Sequence, residues 1–242
     1  MLMTYLQEYL HTIGIYFVYI LFFAVILIPI RFFTKIPDYI FRKLLHIVAA
    51  FSVFPLAYFT DIWWISVLVV LTYLLGIIVM LLIHERAPFY PKLFVEKKRH
   101  EVLFNFLGFF LLLAALFSIF WGLWGLPHRF IAVCSIIAWA PGDGMAAIIG
   151  ISVGRHTLSG DHIEGTKTVE GTAAMGITTF ICTFLFLLLR SPFPSVLSLA
   201  AALLIGIAGA FTELFTKRGW DTITVPAVAS TILSVFCLLF RL

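Results

Sequence analysis

The sequence predicts an all-α membrane protein, a polytopic helical bundle of about eight spans. Three observations predict it. Hydrophobic residues make up 62% of the 242 and charged residues only 12%, about half the charged fraction of a soluble domain. Apolar runs recur at the roughly 20-residue length that crosses a bilayer as a helix. Between them no segment is long enough to fold as a soluble domain, so residues 1–242 are expected to form a single integral membrane domain.

The expected spans are 11–30, 44–60, 62–83, 102–121, 129–152, 169–189, 195–212 and 223–241. The first run, Thr12 to Ile30, has no basic leader or small-residue cleavage site and reads as a retained span. The fifth carries Pro141-Gly142-Asp143 in its middle. Proline removes a helical hydrogen bond and glycine loosens the turn, so this span is expected to break into two half-helices. Segment 84–101, with Pro88 and Pro91, reads as a charged loop with a short interfacial element. Cys134, Cys182 and Cys237 each sit inside an apolar run, as small packing residues do.

Charge sets the orientation. One set of alternating loops holds Arg31, Lys35, Arg42, Lys43, Arg86, Lys92, Lys97, Lys98, Arg99, Arg155, Lys167, Lys217 and Arg218, and the other set holds Arg129, Arg190 and Arg241. The split is 13 against 3. By the positive-inside rule the first set is cytoplasmic and both termini are outside. The net charge of +4 therefore reads as topology, with no surface for nucleic acid.

Four polar clusters fall on the cytoplasmic side. Arg42 and His46, with Lys43 beside them, share a helix face at the start of span two. They suit a topogenic flank and equally a phosphate tail. Arg99-His100-Glu101 and Asn105 open span four and read as helix-end charges.

The third cluster is the most informative. Gly142-Asp143-Gly144 is followed by Ala146, Ala147, Gly150 and Gly154, then by Gly160, Gly165, Lys167, Thr168, Glu170, Gly171 and Thr172. The small residues stripe one helix face, as close helix packing requires. Packing does not account for Asp143, because an ionised carboxylate in hydrocarbon costs several kcal/mol. A glycine-containing loop running into a helix N-terminus offers N–H groups to an anion. The spacing Gly160-x-x-x-x-Gly165-Thr166-Lys167-Thr168 is not that of a P-loop, since Thr166 separates the glycine from the lysine. The fourth cluster is Glu213, Lys217, Arg218, Asp221 and Thr222. Carboxylates converging with Lys167 would hold a divalent ion against phosphates.

Taken in order, Arg42-Lys43-x-x-His46, Gly142-Asp143-x-x-Ala146, Gly150-x-x-x-Gly154, Lys167-Thr168-x-Glu170-Gly171-Thr172, and Glu213 followed by Gly219-x-Asp221-x-x-x-Val225-Pro226 resemble the polyprenol kinase family. That family includes dolichol kinases, phytol kinases and CTP-dependent diacylglycerol kinases. Thr222 stands where many members carry Asn. The resemblance covers about residues 40–230 and implies a catalytic membrane domain. It implies transfer of the γ-phosphate of CTP or another nucleoside triphosphate, with Mg²⁺, to the hydroxyl of a membrane lipid alcohol. Asp143 and Lys167 are then the expected catalytic residues. Arg42, Lys43, His46, Gly165, Lys167, Thr168, Gly171 and Thr172 are expected at the nucleotide phosphates, and Asp143, Glu170, Glu213 and Asp221 at the metal. Two other readings compete. A CTP:phosphatidate cytidylyltransferase has the same nucleotide and metal needs, but a C-terminal run of Arg, Lys and several acids is missing here. A transporter built on a broken span would use Asp143 to couple to protons or ions. Such proteins commonly duplicate the broken helix, whereas this chain has one candidate.

Overall fold

The computed structural model describes residues 2–84, 90, 101–160, 163, 167–217 and 219–241, with Glu101 described in its backbone alone. The helices are α1 (Leu2–Phe33), α2 (Asp38–Phe51), α3 (Val53–Tyr58), α4 (Trp63–His84), α5 (Glu101–Leu116), α6 (Arg129–Ser152), α7 (Val169–Arg190), α8 (Ser195–Phe215) and α9 (Asp221–Phe240). A π-helical segment, Phe117–Leu123, extends α5, and a 3₁₀ turn, Leu126–His128, precedes α6. Among the described residues, with α2 and α3 counted as one span, eight segments are long and apolar enough to cross a membrane. The fold class is all-α, and the chain is a multi-pass membrane protein. By contacts it divides into two compact units, residues 1–129 and 130–242.

In the first unit the α1, α2 and α4 helices share tyrosine contacts. Tyr16 donates to Ser52 Oγ at 3.0 Å and Tyr19 to the Val48 carbonyl at 2.7 Å, while Tyr16 and Tyr73 meet edge to face at 4.4 Å. These hydroxyls are satisfied across helices, as polar side chains in membrane bundles often are. The second predicted span is where a helix is actually interrupted. Pro55 has no N–H to give the Phe51 carbonyl, and Ser52 Oγ turns back to the Ala49 carbonyl at 2.6 Å.

The predicted break in the fifth span is not there. The α6 helix runs without interruption through Pro141-Gly142-Asp143. Its most apolar window is 78% buried, against 11–39% for the other seven spans, so neighbouring helices hold the weakened turn in place. Thr179 on α7 donates to the Ala138 carbonyl at 2.9 Å, one residue past the carbonyl that the proline leaves without a donor. The bond ties the weakened turn to α7. The Thr179→Val variant keeps the shape and loses the bond, so it should cost about 1 kcal/mol in thermal unfolding of the detergent-solubilised protein.

The second unit is antiparallel at each successive helix pair. A Cβ placed on Gly142 would overlap Thr179 Oγ1, and one on Gly171 would lie 2.9 Å from the Ala146 carbonyl oxygen. The stripe that begins at Gly142 thus serves the α6–α7 contact, with residue numbers rising on one helix as they fall on the other. A Cβ on Gly206 of α8 would likewise lie 2.8 Å from the Gly176 carbonyl oxygen of α7. Between α6 and α7 the chain forms a two-residue hairpin, β1 (Thr157–Leu158) against β2 (Lys167–Thr168). Nothing in the apolar pattern predicts it.

Candidate functional site

The second unit brings together residues from the loop before α7 and from α6, α8 and α9. Asp143 is buried, 4% exposed, in the middle of α6. It stands nine residues before Ser152, on the order of 14 Å of helix rise. Along the bundle it is level with Glu213 near the end of α8 and Asp221 at the start of α9. Glu213, 6% exposed, is near the C-terminal end of α8, and both Asp143 and Asp221 act on it electrostatically.

Lys167 ends the hairpin beside the last turn of α8. Its ammonium forms an ion pair with the Glu213 carboxylate and donates to the Glu213 backbone carbonyl at 3.0 Å. The last carbonyls of a helix lack intrahelical partners, and a cation there satisfies them and the helix dipole together. Thr168 is the N-cap of α7, its Oγ1 accepting from the Gly171 amide at 3.1 Å. That bond engages the Gly171 N–H, and the glycine itself is required by the close approach of α6. Thr172, in the first turn of α7, has a buried Oγ1 without a hydrogen-bond partner among the described residues.

Glu170 is engaged in the hairpin. Its carboxylate meets His156 Nδ1 at 2.7 Å and accepts from the His156 amide at 3.3 Å. The pair staples the chain beside β1 to the start of α7, where an acidic side chain also suits the helix dipole. Asp221 opens α9 and accepts a hydrogen bond from Trp139 Nε1 at 3.1 Å. Among the described residues no three His, Cys, Asp or Glu side chains stand close enough together to form a metal-holding group. Arg42, Lys43 and His46 lie half-buried on α2 in the first unit, with Arg42 and His46 one turn apart. Gly165 lies outside the described residues.

The chain is 32% identical over 194 residues to a phytol kinase of Synechocystis sp., a match covering 78% of this chain and 76% of the relative. It belongs to the polyprenol/phytol kinase-like family. No family model matches it, and no solved structure does.

In this family member the site contains three residues that sequence reasoning missed. Thr179 supports the α6 turn below Asp143, His156 holds Glu170, and Trp139 holds Asp221. Trp139 carried a readable signal, since it precedes Asp143 by four residues and shares its helix face. His156 and Thr179 carried none, because their partners are set by the folding of α6 against α7.

Proposed function

We propose that this chain is a lipid-alcohol kinase that transfers the γ-phosphate of CTP to the hydroxyl of a polyprenol or phytol-like alcohol, with diacylglycerol as a further candidate acceptor. The lipid oxygen bonds to the γ-phosphorus and the bond from that phosphorus to the β,γ-bridging oxygen breaks. CDP leaves, and the hydroxyl proton passes to the Asp143 carboxylate.

The burial of Asp143 carries the reading. A carboxylate 4% exposed within an apolar helix is retained for a function. Mg²⁺ fits the donor set. It takes oxygen ligands, commonly one or two carboxylates completed by phosphate oxygens and water, so a closed three-carboxylate cage is not needed. Asp143 and Asp221 would hold it, and when bound it would offset the charge of the β- and γ-phosphates. Glu213, also an oxygen donor, is ion-paired to Lys167, and Glu170 is hydrogen-bonded to His156. Lys167 places positive charge beside the phosphates, and Thr172 Oγ1 has a donor to spare. Arg42, Lys43, His46 and Gly165 are proposed as phosphate contacts on the family motifs they carry. The loop charges support a cytoplasmic site with both termini outside.

The test is direct. Purified protein is incubated with Mg²⁺, γ-labelled CTP or ATP, and phytol, a polyprenol or diacylglycerol. Label should enter a lipid alcohol from CTP, with one CDP released per phosphate transferred. Pyrophosphate release from phosphatidate with no labelled alcohol would replace the kinase by a cytidylyltransferase. Transfer from ATP alone would overturn the choice of donor.

A further inference from the structure

We propose that Arg155 binds the phosphate tail of the nucleotide, held in place by the His156–Glu170 pair, an inference that rests on the kinase reading of this site. Arg155 lies three residues past the end of α6, where the chain turns into the hairpin. That turn is pinned to the start of α7. The Val169 amide donates to the His156 carbonyl at 2.9 Å, and Thr157 pairs with Thr168 in the hairpin. The Glu170 carboxylate engages both the His156 ring and the His156 amide. On the other side of Arg155, a Cβ on Gly154 would lie 2.7 Å from Thr168 Cγ2, so the backbone passes directly against the α7 cap. The residues before and after Arg155 are therefore fixed to α7, while the Arg155 side chain itself is exposed.

Two cations thus stand at the start of α7, and their charges are met differently. Lys167 is neutralised within the chain by Glu213. The Arg155 guanidinium has no hydrogen bond, ion pair or ring contact among the described residues. A carboxylate is close by, since Glu170 also interacts with the Arg155 amide. That carboxylate is spent on His156 and leaves the guanidinium unmatched. A charge that only sets topology needs the right side of the membrane and no fixed backbone. Here the backbone is fixed and the charge is left open, so the group that completes it is an anion from outside the chain. The first turn of a helix favours an anion, and in that turn of α7 Thr172 Oγ1 is buried without a partner among the described residues. A guanidinium suits phosphate in particular, because its planar fork takes two phosphoryl oxygens at once.

The test is equilibrium binding of CTP to the purified protein in neutral detergent, with Mg²⁺ and no lipid alcohol, followed by calorimetry, with CMP measured by competition. In Arg155→Gln the CTP dissociation constant should rise about tenfold, the size expected for loss of a hydrogen bond from a charged group. CMP lacks the β- and γ-phosphates and should lose less than about twofold. Arg155→Lys keeps the charge without the fork and should fall between wild type and Gln. His156→Ala should weaken CTP binding about threefold alone and not at all in an Arg155→Gln background, as for residues that act through one another. Unchanged CTP affinity in Arg155→Gln, equal losses for CTP and CMP, or full additivity with His156→Ala overturns the proposal. Lipid headgroups are the other source of phosphoryl oxygens. An Arg155→Gln protein that binds CTP as wild type does, and in nanodiscs loses affinity for phosphatidylglycerol, would assign Arg155 to the lipid surface and overturn the proposal. Should Arg155→Gln not fold, the contrast between CTP and CMP in Arg155→Lys decides in the same way. Weakened CTP binding in a protein that phosphorylates no lipid alcohol would sink the kinase reading and leave this one standing. CTP-dependent phosphorylation with unchanged CTP affinity in Arg155→Gln would do the reverse.

Discussion

Replacing Asp143 by Asn should lower lipid phosphorylation by about a thousandfold, within the range of roughly 10²–10⁴ for loss of a positioned general base. The protein should still fold. Asparagine has the same shape and hydrogen-bonding reach, so it fits the 4% exposed site without a change in packing. A cooperative thermal unfolding transition in detergent should therefore persist, while release of CDP falls. The Asp143→Glu variant restores the charge but moves the carboxylate outward by one methylene. A displacement of about 1 Å can cost on the order of a hundredfold, so Glu should fall between Asp and Asn. An Asn variant that keeps more than a tenth of wild-type turnover would remove Asp143 from the chemistry. The depth of this residue makes the result informative, because no solvent-exposed acid lies beside it on α6 to substitute. Within four residues of Asp143 on either side, α6 has no other acidic residue.

The span positions were legible because the bilayer imposes a length and a composition that the sequence cannot disguise. The error at Pro141 has a physical source. Proline weakens a helix locally, and whether it breaks depends on what packs around it, which here is Thr179 and the rest of α7. At Pro55 the same residue type sits just past an interruption at Ser52. Asp143, Lys167 and Glu213 could be nominated from the sequence because charge is rare in such a chain. Their convergence could be expected, but not that Lys167 pairs directly with Glu213. Lys167 and Glu213 are 46 residues apart and meet only through a hairpin too short to leave a periodic signal. Thr168 and Gly171 read as phosphate contacts in the sequence, and the structure shows them capping and packing α7.

Replacing Lys167 by Met should damage both stability and activity, and the two losses should be separable. Glu213 has a side chain 8% exposed and Lys167 one 25% exposed, so removing the ammonium leaves a carboxylate in the span without the cation that neutralises it. Breaking a buried pair from one side costs about 3–5 kcal/mol. The partial exposure of Lys167 places this case near 3 kcal/mol, or roughly 6–12 °C in the unfolding midpoint for a chain of this size. The Glu213 carbonyl also loses the Lys167 donor and keeps the Thr216 amide at 3.3 Å. A second change, Glu213→Leu in the Lys167→Met background, removes the stranded charge. Pairs replaced on both sides by apolar residues are often close to neutral, so the double variant should unfold within about 1 kcal/mol of wild type. Its activity should stay low by on the order of a hundredfold or more, because no ammonium then faces the phosphates. A double variant that recovers stability and turnover together would make Lys167 a structural residue. A Lys167→Met protein as stable as wild type would mean that the pair contributes nothing to the fold, leaving Glu213 to be explained by the metal alone.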